Sequence, residues 1–428
     1  MEVAILVLSF VTLLALRVPI AWSIGIATLL TMLASIPVLP AVTTVAQRMA
    51  TGLDSFPLLA IPFFILAGQI MNRGGIAKRL IDFAKALVGS LPGGLAHVNI
   101  IAAMLFGAIA GSAVAAASAI GSALGGRMEE EGYSKEFSAA VNITSATTGL
   151  IIPPSNVLIV YSLASGGASI AALFLAGYLP GILTGLFLML VAGVWAKRKG
   201  FPVGERTSIQ AVLKTFLAAL PSLLLLVIVI GGIVAGIFTA TEASAVAVLY
   251  CLILTFVYKE LKVIDLPDVF LKSVNTTAIV LLLIGTSVSM SWIMTYENIP
   301  QDITSFLLGI SDSKIVVLLL INLILLFVGI FMDITPAVLI FTPIFLPVVT
   351  ELGMDPVHFG IVMVLNLCVG LCTPPVGTVL FVGVGVAKTT IQKVIRPLLP
   401  LFIAMIIALF LVTYVPALTM WLPKVFGY

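Results

Sequence analysis

Two interrupted apolar segments, far apart in the chain, restrict its fold more than any other feature of the sequence. Each contains the pattern Gly-Leu-x-x-Pro-Pro, once at 149–154 and once at 370–375. Proline removes a backbone donor and clashes with the preceding helical turn, and the residue before a proline avoids the α region. A helix that meets two prolines just after a glycine should therefore unwind for about one turn. The sequence predicts a broken helix at both places.

The two breaks belong to an internal repeat with a constant offset of 221 residues. Seven positions match between 130–154 and 351–375, and four of them are glycine or proline, so shared apolar composition does not explain the match. The identical pairs are Glu130/Glu351, Gly132/Gly353, Val141/Val362, Gly149/Gly370, Leu150/Leu371, Pro153/Pro374 and Pro154/Pro375. Ser112 corresponds to Asp333 at the same offset. Equivalent elements are separated by an odd number of predicted crossings, which indicates inverted repeats.

The composition places the chain in a membrane. Hydrophobic residues make up 61% of the 428 residues and charged residues only 9%, whereas soluble domains carry about 25% charged residues. A soluble core of this size could not cover so much apolar surface, so lipid must be the solvent for much of it. Apolar runs occur at 3–16, 19–36, 56–72, 170–196, 218–238, 243–258, 267–292 and 399–422. The first is short for a span of about 20 residues and is expected to extend into its flanks.

Clusters of basic residues indicate the orientation in the membrane, because such clusters stay on the cytoplasmic side. They occur at Arg17 and within 73–85, 127–135, 197–199, 259–262 and 388–396. One threading satisfies all of them, with both termini periplasmic and two re-entrant hairpins that point at each other from opposite faces. The predicted hairpins are 95–128 and 314–350, the broken helices 134–165 and 355–388, and the following helices 170–196 and 399–422.

The predicted architecture is an all-α integral membrane protein in which both repeats contribute to a scaffold and to a transport domain. Scaffold helices and an arm helix are predicted in 1–94 and again in 201–313, and the two halves of the transport domain in 95–200 and 314–428. Residues 75–89 and 206–216 carry charges among apolar residues at helical spacing. This pattern favours helices lying along the inner interface, with ordinary solvated loop helices as the alternative.

The breaks and the hairpin tips form the predicted transport site. Carbonyls freed by an unwound helix are costly in lipid and are tolerated where they line a polar cavity or bind a cation. Carbonyl and hydroxyl oxygens with little formal charge suit sodium, so at least two sodium sites are predicted. The candidate ligands are Ser112, Ser145, Gly149, Ile152 and Pro154 in the first half and Asp333, Thr335, Asn366, Gly370, Thr373 and Pro375 in the second. Two kinks with local caps and no ligand are the alternative.

The half-helices after the breaks begin with free N–H groups and a positive dipole end, which suit a substrate carboxylate. The predicted substrate-binding residues are Ser112, Ser155, Asn156, Gly377 and Thr378. Asp333 lies in a run that is apolar on both sides, and an intramembrane carboxylate is a functional candidate by position. Glu242 is consistent with either an interface role or an internal structural pair. For His97, a structural or interfacial role is favoured over a proton relay.

The sequence contains no pattern typical of catalysis or nucleotide binding. H-E-x-x-H, G-x-S-x-G, Walker A and G-x-G-x-x-G are all missing, so neither an enzyme nor an ATP-driven pump is expected, and no redox or nucleotide cofactor. The net charge of +3 is small and scattered, which disfavours nucleic acid as a partner. Cys368 and Cys372 have helical spacing, but no histidine or carboxylate lies close by in sequence. Buried thiols are favoured there over a metal site.

Six short motifs together give the chain a family resemblance over essentially its whole length. They are Arg17-Val18-Pro19-Ile20-Ala21, Gly111-Ser112, 149–155, Thr239-Ala240-Thr241-Glu242-Ala243, Met332-Asp333-Ile334-Thr335-Pro336 and 370–375. On these motifs the chain resembles the large membrane subunit, the M or DctM-type subunit, of tripartite ATP-independent periplasmic (TRAP) transporters. The motifs are specific only in combination.

The resemblance implies a fold of the ion-transporter superfamily, elevator-type movement, and import of organic acids on a sodium gradient across the bacterial inner membrane. It also implies two partners, a small four-helix membrane subunit and a periplasmic substrate-binding protein. The chain lacks the extra N-terminal helices of a fused subunit, so the small subunit is expected as a separate chain. Sialic acid is the first expected substrate and a C4-dicarboxylate the next. The segments 37–55 and 293–313 carry the expected docking surface for the binding protein, with Arg48, Asp54, Glu297 and Asp302.

Two other functions are compatible with the same residues. A stand-alone sodium–anion symporter of the same superfamily would need neither partner. A channel or scaffold subunit without coupled transport would be favoured by continuous helices at 149–154 and 370–375.

Overall fold

The computed structural model describes residues 2–73, 75–201, 204, 208–311 and 313–428, and the secondary structure of these residues is helical, without strands. Among them, eight helical stretches are long and apolar enough to cross a membrane. They are Phe56–Arg73, Ile170–Lys199, Ile209–Val234, Ala240–Val257, Val263–Tyr296, Lys314–Phe331, Ile334–Glu351 and Ile391–Tyr414. The prediction of an all-helical, multi-pass membrane protein is confirmed.

The chain begins with five helices that precede the first hairpin. They are α1 (Glu2–Ala15), α2 (Ile20–Ser35), α3 (Val38–Leu53), α4 (Ala60–Arg73), which follows a 3-10 turn at Phe56–Leu59, and α5 (Ile76–Val88). The expectation that the first apolar run extends into its flanks is wrong. Arg17 adopts a left-handed conformation with φ 62° and Pro19 follows, so α1 ends at Ala15 after about 21 Å.

The first hairpin and broken helix follow directly. Their elements are α6 (Gly94–Ala110), α7 (Ala113–Glu130), α8 (Lys135–Thr148), α9 (Asn156–Ala164) and the long α10 (Ile170–Lys199). The predicted break is therefore present: α8 ends at Thr148 and the chain resumes a helix only at Asn156.

The second part opens with α11 (Ile209–Val234), α12 (Ala240–Val257), α13 (Leu266–Tyr296) and α14 (Ile299–Ile310). The separate amphipathic helix predicted at 206–216 is not observed in its described part, because 209–216 forms the first turns of α11. Residues 206 and 207 lie outside the described residues. The apolar run at 218–238 continues that helix as far as Val234, so the amphipathic and apolar stretches share one axis.

The same order of elements then occurs a second time. A hairpin, α15 (Lys314–Phe331) and α16 (Ile334–Glu351), precedes a broken helix, α17 (Pro356–Gly370) and α18 (Thr378–Val386), and the chain ends in α19 (Ile391–Tyr414) and α20 (Ala417–Val425). The second predicted break is confirmed between Gly370 and Thr378. The single helix predicted at 399–422 is wrong: Val415, which precedes Pro416, has φ −118° and interrupts it.

Each broken helix crosses the first arm of its own hairpin at a pair of glycines. A Cβ atom on Gly149 would lie 2.5 Å from the Cα of Gly107, and one on Gly370 would lie 2.6 Å from the Cα of Gly329. Such separations leave no room for a side chain, so the two backbones touch at each crossing. The halves are also joined, because α8 packs against α19 and α10 against α17. These crossings fix where each break lies relative to its hairpin turn.

Candidate functional site

Both hairpin turns and the starts of both half-helices meet at one cavity of about 280 Å³. Of the predicted site residues, Ser112, Asn156, Asp333, Thr335 and Thr378 line it. Polar residues of α4 and α13 close the opposite wall, namely Gln69, Asn72 and Thr276. The sequence repeat thus predicted residues that converge in space although they are more than 200 positions apart.

The first hairpin turn is built around Gly111. This residue has φ 61°, in the left-handed region that favours glycine, and it ends α6. A Cβ atom there would lie 2.9 Å from the Nδ2 of Asn156, so the glycine also admits the start of α9. Ser112 caps α7, because its Oγ accepts a hydrogen bond of 3.2 Å from the backbone N–H of Ala115. The hydroxyl is therefore engaged within its own turn.

The second hairpin turn differs in its chemistry. Asp333 occupies the N-cap position of α16, yet its side chain accepts no capping hydrogen bond from the described residues. The side chain is exposed where it lines the cavity. Of the described residues that line the cavity, Asp333 alone carries a formal charge. The site thus holds one carboxylate beside hydroxyl and amide groups.

The two breaks share a conformation but differ in their surroundings. Their Pro-Pro peptide bonds, Pro153-Pro154 and Pro374-Pro375, are both cis. Residues 149–155 are all buried, and a Cβ atom on Gly177 of α10 would lie 2.3 Å from the carbonyl oxygen of Ile151. In the second break, by contrast, Pro375 is exposed. The first break is packed inside the protein, and the second is partly open.

Carbonyl oxygens converge at the end of the second break. A Cβ atom on Gly377 would lie 2.6 Å from the carbonyl oxygen of Leu371 and 2.9 Å from that of Thr373. The Gly377 N–H donates to the carbonyl of Ile330, at 3.2 Å, which ties the break to the end of α15. The Thr373 hydroxyl donates to the Val369 carbonyl at 2.8 Å. This cradle of oxygens is compatible with a bound cation.

Ser145 and Asn366 lie at equivalent positions of the repeat, and each is bonded to an asparagine on the first arm of its hairpin. The Ser145 hydroxyl donates to Oδ1 of Asn99 at 2.9 Å. Asn366 Nδ2 donates to Oδ1 of Asn322 at 2.7 Å. Asn366 is fully buried, and its Oδ1 has no hydrogen-bond partner among the described residues. Because buried polar atoms are normally satisfied, that oxygen is suited to a cation or a water.

The remaining predicted residues do not line the cavity. They are Ser145, Gly149, Ile152, Pro154, Ser155, Asn366, Gly370, Thr373, Pro375 and Gly377. The buried Ser155 hydroxyl has no partner among the described residues. Leu150 and Leu371, which follow the two break glycines, line the cavity directly. The candidate site is therefore a central cavity with two breaks behind it.

Sequence reasoning missed the wall contributed by α4 and α13. Gln69 and Asn72 are three residues apart at the end of the apolar run 56–72, so both fall on one face of α4. Polar residues within a membrane segment usually face the protein interior, and that signal could have found them. Thr276 carries no such signal, because isolated threonines occur throughout the apolar runs.

Two residues left open by the sequence have local structural roles. Glu242 forms a capping box at the start of α12: its Oε2 accepts from the Thr239 N–H at 2.8 Å, and its own N–H donates to the Thr239 hydroxyl. The His97 ring is buried, and its Nε2 lies 3.1 Å from the carbonyl oxygen of Pro92. Both side chains serve helix termini, and neither lines the central cavity.

The predicted docking segments, 37–55 and 293–313, are mainly helical in their described residues, as α3, the end of α13, and α14. The guanidinium of Arg48 lies over the Trp292 ring, 5.3 Å from its centroid, and the Ser35 hydroxyl donates to Glu297 Oε1 at 2.9 Å. These contacts join α2 and α3 to the end of α13. A role in docking stays a prediction.

Comparison with known proteins places the chain among membrane transporters. The fold resembles the crystal structure of the Alcanivorax borkumensis YdaH transporter, with a TM-score of 0.67, 12% identity, and coverage of 90% of this chain and 89% of the other. At sequence level, residues 7–418 match the family described as "Tripartite ATP-independent periplasmic transporter, DctM component". The chain belongs to this family of TRAP transporter large permeases, as its motifs predicted.

Three relatives illustrate the range of the family. An uncharacterized Salmonella typhimurium protein, YgiK, is 58% identical over 98% of this chain and 96% of its own. An isethionate TRAP transporter permease, DctMQ, of Oleidesulfovibrio alaskensis is 44% identical over 96% of this chain, which spans only 65% of that protein. A sialic acid TRAP transporter large permease, SiaM, of Vibrio cholerae is 41% identical over 90% of both chains.

Proposed function

We propose that the chain is the large membrane subunit of a sodium-coupled TRAP transporter that imports an organic acid. The observation that carries this proposal is the cavity in which both hairpin turns meet the starts of both half-helices. A closed helical bundle without transport would have no need of two interrupted helices around one polar cavity, because broken helices are tolerated where they line such a cavity.

The sodium sites lie on either side of the cavity. The first comprises Ser112, Ser145 and the break at Gly149, and the second comprises Asp333, Thr335, Asn366 and the break at Gly370. The carbonyl cradle around Gly377 and the unpartnered Oδ1 of Asn366 support the second site. The unpartnered Ser155 hydroxyl beside the first break supports the first.

The substrate is an organic anion whose acidic group lies between the two half-helices. Asn156 and Thr378 are the first residues of α9 and α18, so their N–H groups belong to helix N-termini, which favour anions. Gln69 and Asn72 supply donors from the opposite wall. Sialic acid is the first compound to test, followed by C4-dicarboxylates and isethionate, because related permeases are named for a carboxylate and a sulfonate.

Movement of the hairpins and broken helices against α1–α4 and α11–α14 would carry the cavity across the membrane in an elevator mechanism. The repeats are inverted in this proposal, both termini are periplasmic, and the protein resides in the inner membrane. A separate four-helix subunit and a periplasmic binding protein complete the transporter. The name of the DctMQ relative, and its length beyond the part matched here, support a small subunit as a partner.

Reconstituted uptake tests the proposal. The chain is placed in proteoliposomes with and without the small subunit encoded nearest to it, and radiolabelled sialic acid is supplied with the binding protein. Uptake that requires a sodium gradient and both partners, the small subunit and the binding protein, is expected. Uptake by the chain alone would favour a stand-alone symporter. Uptake that needs neither sodium nor a binding protein would refute the proposal.

A further inference from the structure

A second, small polar cavity lies at the far end of α8 from the first break. It has a volume of about 100 Å³ and is lined by Asn99 of α6, Ser138 and Asn142 of α8, and the facing parts of α7 and α18. This volume is roughly three times the ~30 Å³ occupied by a water molecule in the liquid. The cavity is separate from the central site, because the two share no lining residue.

Two buried oxygens in this cavity lack hydrogen-bond partners. Asn142 is 3% exposed and donates from Nδ2 to the Ala117 carbonyl at 2.7 Å, which leaves its Oδ1 without a partner among the described residues. Ser138 is 5% exposed, and its Oγ is likewise unpartnered there. Burial of an unpaired oxygen is costly, so both atoms require a donor or a cation.

The two oxygens continue along one face of α8 toward the first break. Ser138, Asn142, Ser145 and Gly149 follow one another at steps of four, three and four residues, which places them on the same side of a helix. Asn99 connects the two ends of this row: it lines the small cavity, and its Oδ1 accepts the hydrogen bond from Ser145. A row of buried oxygens therefore runs from the small cavity to the first proposed sodium site.

The second half of the chain lacks this row of oxygens. At the offset of 221, Ser138 and Asn142 correspond to Phe359 and Met363, which are both buried. A Cβ atom added at Gly121 would lie 2.5 Å from Asn142 Nδ2. The corresponding residue of the second half, Thr342, donates a hydrogen bond to the Met363 sulfur at 3.3 Å. The polar row is thus a property of the first half alone, and the repeated fold does not by itself require it.

The charged residues that line the cavity are Glu129 and Lys135, and further carboxylates lie near them in sequence. Glu129, Glu130 and Glu131 are exposed at the end of α7, where the helix dipole is negative. Only Glu129 among them pairs with Lys135, at 3.4 Å. Glu136 adds a fourth carboxylate, against three nearby cations, Arg127, Lys135 and Lys388, the last of which follows the lining residue Ala387. Carboxylates in excess raise the local concentration of cations at the entrance.

We propose that this cavity is a cation site through which sodium leaves the first sodium site toward the face of the protein that carries Glu129. The proposal rests on sodium coupling as part of the proposed function. Sodium would pass from the Gly149 region to the unpartnered oxygens of Asn142 and Ser138 and then to Glu129, which lines the cavity.

Cysteine labelling tests the site in the transporter assembled in inside-out vesicles. Ser138→Cys is treated with a cationic methanethiosulfonate reagent in sodium chloride or in choline chloride of equal ionic strength. The native cysteines are fully buried, so the unsubstituted chain measures the background. We expect labelling that is slowed about tenfold when sodium is at ten times its dissociation constant, by mass action. Thr144→Cys, buried on α8 but away from the cavity, is the unreactive control.

Labelling that is absent, or equally fast in both salts, would overturn the proposal; the second result would indicate a cavity that holds water only. A second variant, Asn142→Leu, provides an independent test if the Ser138→Cys variant does not fold. It should slow sodium-coupled uptake while the external sodium concentration for half-maximal uptake stays unchanged, and an unaltered rate would count against the site. Sodium-independent uptake by the unsubstituted transporter would instead mean that the proposed function has failed.

Discussion

The glycine crossings provide the sharpest test of the structure, because one methyl group should have opposite effects at two places. In Gly370→Ala, the new Cβ atom lies 2.6 Å from the Cα of Gly329 and 2.7 Å from its carbonyl carbon. Both are backbone atoms, which cannot turn aside as a flexible side chain would. Overpacking of this kind costs about 1–3 kcal/mol. The gain from replacing a helical glycine by alanine, about 0.5–1 kcal/mol, does not offset it.

The matched control lies in the adjacent half-helix. Gly385, in α18, has no atom within 4 Å of an added Cβ atom, so Gly385→Ala should stabilise the protein by about 0.5–1 kcal/mol. Thermal unfolding of the purified transporter in detergent measures both variants against the unsubstituted chain. We expect Gly370→Ala to unfold at a lower temperature and Gly385→Ala at an equal or higher one. Equal stabilisation by both substitutions would refute the backbone crossing.

Three further predictions concern the central site and one helix terminus. Asp333→Ser gives the second turn the residue of the first and should raise the sodium concentration needed for half-maximal uptake; unchanged sodium activation would remove Asp333 from the site. Gln69→Leu should raise the KM for the substrate and leave sodium activation intact. Gln47→Leu, on the exposed face of α3, is the control. An equal KM in both variants would contradict a role of Gln69 in substrate binding. Thr239→Ala should cost about 1 kcal/mol of stability without changing transport kinetics, since it removes only the cap of α12.

The sequence predicted the breaks and hairpins well because their signals are local. Proline and glycine act on the backbone within a turn, so Gly149 and Gly370 mark helix ends to within a residue. It also predicted two equivalent sites, at Ser112 and at Asp333, because a repeat reports equivalent positions, and both residues line the one cavity. Helix lengths were harder to predict: the end of α1 depends on a left-handed Arg17, and the amphipathic stretch before 218 continues into α11 without a boundary.

The contacts between separate elements could not be read from the chain. The Gly107/Gly149 crossing joins residues that are 42 positions apart and that carry no pattern beyond small size. The wall formed by Gln69, Asn72 and Thr276 depends on how α4 and α13 pack against the hairpin turns. Tertiary packing decides such contacts. When the helices are apolar on nearly every face, the hydrophobic pattern does not indicate which faces pack together.

The inequality of the two halves bears directly on mechanism. At the first turn a hydroxyl caps its own helix, whereas at the second a carboxylate that makes no such cap lines the cavity. A carboxylate compensates the charge of a buried cation, which a hydroxyl cannot do. The row of oxygens from Ser138 to Ser145, in turn, exists only in the first half. Under the proposed function, the second site should therefore hold sodium more tightly, and the first should exchange it faster. Such a pair would release its ions in a fixed order, with the first site emptying before the second.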